Sequence, residues 1–154
     1  RNIDRVGNTV TVEGGCILDI IKNKLEKYDL EFPLSMGSRG SCQIGGNIAT
    51  NAGGLNVIKY GTIRQNILGI EAVLPDGRIY SSLKNVKKNN TGLDLKHLLI
   101  GSEGTLGIVT AATVQLFPLP KEKTVLWASF KNFSQVLNFY KYINNKFKDL
   151  ITSF

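Results

Sequence analysis

Hydrophobic residues recur along this chain with two different periods, and one long stretch follows neither. In "NTVTVEGG" Val10 and Val12 alternate with threonines until Gly14 and Gly15 end the run, the pattern of a half-buried strand. From Ile17 to Tyr28 the apolar positions Ile17, Leu18, Ile21, Leu25 and Tyr28 return at helical spacing. Lys22, Lys24 and Lys27 take the outer face, so an amphipathic helix is expected. After Pro33 the periodicity is lost through "GSCQIGGNIATNAGG", Gly40 to Gly54, and it resumes at Ile67 as the near-continuous apolar run "ILGIEAVL". Pro75-Asp76-Gly77 then supplies a fixed φ, a short side-chain acceptor and a residue tolerant of positive φ, which makes "RIY" the returning strand of a hairpin. Further on, the pattern predicts a loop, a short helix from Asp94 to Leu99, a glycine-rich turn and a long strand from Ile108 to Phe117.

Pro118 and Pro120 punctuate the chain, and its character changes beyond them. "TVLWASF" is a strand candidate, and Phe133, Val136, Leu137, Tyr140, Ile143 and Phe147 form an apolar helical stripe. Asn132 and Gln135 are spaced like a capping box, with Asn where Ser or Thr is usual. One strand and one helix cannot bury that stripe alone. A boundary is therefore expected near Lys121, with residues 1–120 as one unit and 121–154 as the incomplete opening of a second domain.

Composition narrows the function classes. The 154 residues are 42% hydrophobic and 20% charged, an ordinary globular balance. The formal net charge of +7 comes mostly from dispersed lysines, densest in "KNVKK". No basic stripe interleaved with aromatics is visible, which argues against nucleic acid as a partner. No apolar run approaches the roughly 20 residues needed to span a bilayer, and "RNIDRVGNTV" lacks the apolar centre of a signal peptide, so no transmembrane segment is expected. The chain starts with Arg rather than Met, which leaves open a start inside a longer protein. Cys16 and Cys42 are too few and too far apart for a disulfide framework or a zinc ribbon. A reducing, cytoplasmic setting with two free thiols and no metal is the expectation.

The aperiodic stretch holds the candidate chemistry. Gly45-Gly46 and Gly53-Gly54 bracket "NIATNA", a piece short enough to be one helical turn with its leading amides pointing outward. Glycine nests and helix starts bind phosphate in this way. The alternative is a plain surface loop held by turn glycines. Neither GxxxxGK[ST] nor GxGxxG can be read here, so spacing alone reaches only an anion or nucleotide beside a glycine-rich turn.

Several blocks in sequence go further. "FPLSMGSRGSCQIGGNIATNAGGLNVIKYG", "NILGIEAVLPDGRI" and "NNTGLDLKHLLIGSEGTLGIVTAATVQLFP" together resemble the FAD-binding (PCMH-type) domain of the vanillyl-alcohol-oxidase superfamily. Within it the likeness is to the D-2-hydroxyacid dehydrogenases of the 2-hydroxyglutarate, lactate and glycolate classes, and it spans Asn2 to about Pro120. The resemblance implies an α+β fold, the second flavin-binding subdomain, with an antiparallel sheet flanked by helices and the first strand and helix of a truncated cap attached. It also implies FAD as cofactor and a small 2-hydroxyacid as substrate of the intact oxidoreductase.

Carried over residue by residue, Pro33, Leu34 and Gly37 resemble the lead-in beside the flavin, and Ser41 resembles a hydroxyl donor to it. Gly45, Gly46, Thr50, Asn51, Ala52 and Gly53 resemble the backbone cradle along the cofactor. Glu103, Gly104, Gly107 and Ile108 resemble the contact with the adenosine half. For Glu103 a carboxylate capping a local turn is an equal alternative, and Tyr60 is either a lining or a core residue. His97 and Cys42 are expected to pack rather than react. The first pyrophosphate-gripping loop, most of the cap and every catalytic residue fall outside the chain, so FAD should bind weakly or not at all and no turnover is expected from the chain alone. A non-catalytic remnant or partner-binding module is the rival from another class. A murein-precursor reductase or an alkyl-glycerone-phosphate synthase is a more distant parent within the superfamily.

Overall fold

The valine–threonine alternation of "TVTVE" does build a strand, and the computed structural model, which describes residues 1–154, places it second in a five-stranded antiparallel sheet. In chain order the elements are β1 (Asn2–Asp4), β2 (Thr9–Glu13), α1 (Leu18–Glu26), β3 (Leu30–Glu31), α2 (Ile44–Ala49), α3 (Val57–Tyr60) and α4 (Ile63–Asn66). They continue as β4 (Ile67–Val73), β5 (Ile79–Ser82), α5 (Lys96–Leu99), β6 (Ile108–Gln115), β7 (Phe117–Pro118) and α6 (Phe133–Phe147). The main sheet runs β1-β2-β6-β4-β5, and β3 pairs with β7 apart from it. Strand β6, the longest and richest in small and β-branched residues, takes the centre.

One face of the sheet carries the core. Val10 and Val12 of β2, Ala112 and Val114 of β6, and Ile70 and Ala72 of β4 point to the side covered by α1 and α2. Leu18, Ile21 and Leu25 of α1 and Ile44 and Ile48 of α2 are buried there. Fully burying each such side chain is worth roughly 1.5–3 kcal/mol, so this layer carries most of the stability.

The other face is polar and is crossed by the connection after β5. A Cβ on Gly69 of β4 would lie 2.3 Å from the Ser82 carbonyl oxygen and 2.9 Å from the Leu83 Cα, so the glycine opens the path. Asn85 Nδ2 then donates to Asp4 Oδ2 (3.3 Å) on the far edge strand. Beside this strap the Arg1 guanidinium bonds both Glu13 (2.6 Å) and Glu71 (2.9 Å), which holds both carboxyls below their ordinary pKa.

Several boundaries differ from the expectations drawn from sequence: α5 starts at Lys96 where Asp94 is expected, and β6 ends at Gln115 where Phe117 is expected. Helix α1 is shorter at both ends, because Ile17 is extended and bridges Gln43. Helix α2 starts at Ile44, so Gly45 and Gly46 sit inside its first turn instead of ahead of it. The expected strand at "TVLWASF" does not form: residues 124–130 make no backbone hydrogen bond. Helix α6 forms over the expected stripe but buries no residue. Its cap is close to the expected one: Asn132 Oδ1 accepts from the Gln135 N–H (3.1 Å), while Gln135 Oε1 accepts from Lys131 N–H, one residue earlier than in a capping box.

Candidate functional site

The site grows from the way α2 is seated. Extended Gln43 precedes it, and the Ile44 and Gly45 N–H groups donate inward to the Cys16 (3.0 Å) and Gly14 (2.7 Å) carbonyls. The Gly46 N–H has no acceptor within the chain. The leading amides of "NIATNA", expected to face outward, do not: the helix starts ahead of them and the Asn47 N–H donates to the Gln43 carbonyl (3.0 Å), so the free donor is Gly46 instead.

The glycines divide in the same way. At Gly45 a Cβ would lie 3.0 Å from the Val109 carbonyl oxygen, and at Gly54, with φ +74°, it would lie 2.4 Å from that of Ser35. Those two are required by close backbone packing and left-handed geometry. Gly46 has neither reason: its φ is not left-handed, and a Cβ there would meet nothing within 4 Å. A helical glycine costs roughly 0.5–1 kcal/mol relative to alanine. The chain bears that cost at Gly46 without a packing need, beside a free donor. A ligand that must approach the main chain closely fits this place.

The C-terminal end of α2 is closed by the second glycine loop. Gly101 N–H donates to the Ile48 carbonyl (3.1 Å) and Glu103 N–H to that of Ala49 (2.9 Å), which brings "GSEG" onto the same helix as the first segment. Thr50 Oγ1 bonds back to the Gly46 carbonyl (3.0 Å). Asn51 and Glu103 both hold φ near +50°, at +49° and +52°, uncommon for residues other than glycine. The Asn51 Oδ1 accepts from Arg64 N–H (3.2 Å). The Glu103 carboxylate is exposed and has no partner in the chain, so the local cap that was its alternative role is not made. Between them Ser102 Oγ is buried with no hydrogen-bond partner, an orphan that a polar ligand atom would satisfy. FAD, with its backbone-hungry pyrophosphate and ribose hydroxyls, suits such a donor set.

The remaining residues selected from sequence spread around this helix. Pro33 is buried and Leu34 is a core residue at 4% exposure. Their carbonyls accept from Asn56 Nδ2 (2.8 Å) and Lys22 Nζ (3.0 Å), so they brace the lead-in from beneath. Burial pulls the Lys22 ammonium below its ordinary pKa. Gly37 and Ser41 lie exposed in the turn that follows, and the Ser41 hydroxyl reaches the Ser38 carbonyl at 3.3 Å. Ala52 is buried, its carbonyl taken by the Ile63 N–H, and Gly53 is half-buried against Val57. Gly104 has φ +84°. At Gly107 a Cβ would press within 2.8 Å of the Val73 carbonyl oxygen, so the fold itself calls for that glycine. Ile108 is exposed where β6 begins. Tyr60 packs: its hydroxyl reaches buried Glu31 (3.4 Å), its ring meets Phe117 edge-on, and burial raises its pKa. His97 lies on α5, where partial burial lowers its pKa, with Lys96 adding to that. Sequence reasoning does not single out Ser102 or Arg64. Ser102 is visible there only as part of "GSEG", and Arg64 resembles any cation on a helix surface.

Comparison with known proteins bears on the family and the fold. The family described as FAD binding domain matches residues 1–82, more than half of the 154. The zebrafish (Danio rerio) mitochondrial D-2-hydroxyglutarate dehydrogenase is 40% identical over 151 residues, 98% of this chain and 28% of that protein. The D-2-hydroxyglutarate–pyruvate transhydrogenase of Saccharomyces cerevisiae is 37% identical over 154 residues, covering 100% of this chain and 31% of its own length. Among solved structures an alkyldihydroxyacetonephosphate synthase superposes with a TM-score of 0.75 at 24% identity, over 94% of this chain and 26% of that one, a likeness of fold. The chain thus spans less than a third of the proteins it matches, and no helix in it is long and apolar enough to cross a membrane. A helix seated on an antiparallel sheet and a matching domain over the first 82 residues lead to one conclusion: the chain belongs to the FAD binding domain family.

Proposed function

We propose that this chain forms one wall of the FAD site in an oxidoreductase acting on a D-2-hydroxyacid of the lactate, 2-hydroxyglutarate or glycolate class. The observation that carries the reading is Gly46: a glycine the fold does not need, with a free N–H and open space where a Cβ would stand. FAD when bound supplies the hydride-accepting chemistry. The chain's own residues bind and orient. Gly46 offers its amide and permits close approach, Ser102 Oγ offers a buried hydroxyl, and Glu103 offers a free carboxylate suited to ribose hydroxyls.

The groups that hold the substrate carboxylate and take the hydroxyl proton are assigned to other parts of the whole protein. Val125, Leu126 and Trp127, the last 93% exposed, together with the stripe of α6, are read as the opening layer of a cap that another part of the protein covers. A non-catalytic remnant remains the second reading, and turnover by the whole protein separates the two. Two free cysteines suit the cytoplasm expected from the sequence, and the mitochondrial names of the relatives set an organelle matrix beside it as the competing address.

The test is a flavin-fluorescence titration of the chain followed by a dye-coupled assay with D-2-hydroxyacids. Half of a clamp should bind FAD with Kd of roughly micromolar to millimolar, about −8 to −4 kcal/mol, and give no turnover. The whole protein should give turnover. Absence of any saturable binding by the chain would count against the wall assignment, and an inactive whole protein would favour the remnant.

A further inference from the structure

We propose that Arg64 is a positioning residue for the cofactor wall: its guanidinium fastens the entry to the Gly101–Gly104 loop onto α4, whose backbone is itself held by Asn51 at the end of α2, and so sets Ser102 and Glu103 toward FAD. This rests on the FAD reading above.

The geometry is a staple between elements distant in sequence. Arg64 lies in α4, and its Nη1 donates to the His97 carbonyl (2.8 Å) while Nη2 donates to the Ile100 carbonyl. Those two carbonyls close α5 and open the loop. A planar fork with donors at fixed spacing can hold both at once, which a lysine ammonium does less well. The Arg64 backbone N–H is held in turn by Asn51 Oδ1 (3.2 Å), on the left-handed residue that ends α2.

Gly101 is where the loop passes closest. A Cβ there would lie 3.2 Å from Arg64 Nη2 and 3.4 Å from the Asn51 Cβ. From that point Gly101 and Glu103 donate to the last carbonyls of α2, and Ser102 between them keeps its buried, unpartnered hydroxyl. Residue 64 therefore links the two glycine segments, by its backbone N–H to Asn51 on one side and by its guanidinium to Ile100 on the other, and Arg64→Ala removes only the second tie. Nothing else joins the Arg64 head to the loop: its other contact is with His97 Nδ1 at 3.4 Å, and it has no carboxylate partner. The core cluster does not include it. Its work is local.

The experiment compares the wild-type chain, Arg64→Ala and Arg64→Lys by amide hydrogen exchange and FAD titration. Loss of the staple should speed exchange at Gly101 and Glu103 by at least tenfold while β4 and β6 keep their protection. FAD affinity should fall about tenfold or more in Arg64→Ala, with only partial recovery in Arg64→Lys. A role in general stability would instead lower protection throughout the sheet. Faster loop exchange with unchanged FAD affinity, or no change in loop exchange, would overturn the positioning role. Failure of the FAD reading shows separately, in the wild-type titration.

Discussion

Helices α1 and α6 are written in the same code and meet different fates. Each carries an apolar stripe at helical spacing and each forms, although Lys22 of α1, expected on the outer face, turns in to the Phe32 and Leu34 carbonyls. Yet Leu18, Ile21 and Leu25 of α1 are buried against the sheet, while α6 buries nothing and its Phe133 and Leu137 face outward. Periodicity specifies a helix and the face that wants a partner; it does not say whether the partner lies in the same stretch of chain.

The largest effect that would sharpen this contrast is a matched pair of truncations. Leu25→Ala should destabilise the chain by about 2–5 kcal/mol, the range for a fully buried leucine. Leu137→Ala in α6 should stay within about 0.5 kcal/mol. Urea unfolding measures both, and comparable losses would mean that α6 has a partner in solution. Next in size, removal of residues 121–154 should change the unfolding midpoint little, because the ties across that boundary are few: the Lys123–Glu31 contact is 3.4 Å long, with the lysine exposed. A collapse of the sheet signals on truncation would break the division at Lys121.

The smallest effect concerns the polar face of the sheet. Glu13 and Glu71 have folded-state pKa values held down by Arg1, so their contribution is present above the ordinary carboxylate pKa near 4.5 and is lost as pH falls through the lower, folded values. Thermal melts should therefore lose stability as pH falls below about 4.5. Glu71→Gln should flatten that loss, and the chain ending at Pro120 should show it unchanged. A steeper acid loss in Glu71→Gln would contradict the assignment.

What is legible in the sequence follows the same division between local and distant causes. Strand β2, helix α1, the β4–β5 hairpin and the cap of α6 are legible, because each is specified by residues within a few positions of one another. The start of α2 is misplaced because two glycines argue against helix locally, and the reason one of them is tolerated, the Val109 carbonyl 3.0 Å from Gly45, lies more than sixty residues away. "TVLWASF" has strand composition but pairs with no strand of either sheet. Leu34 resembles the lead-in beside the flavin, and its burial in the core becomes visible only in the fold. Gly69 and Arg64 are invisible for one reason: a strap crossing a sheet and a fork holding two carbonyls exist only once the chain has folded.

The measurement that tests the central claim most directly is FAD binding to Gly46→Val, paired with the melting temperature of the cofactor-free chain. Gly46 is helical, its φ is not left-handed, and the space at its Cβ is open, so valine should leave the apo melting temperature unchanged or slightly higher. On the proposed reading the same side chain stands in the path of the cofactor, so FAD affinity should fall at least tenfold. A lowered apo melting temperature with FAD affinity intact would contradict the account and make Gly46 a structural glycine.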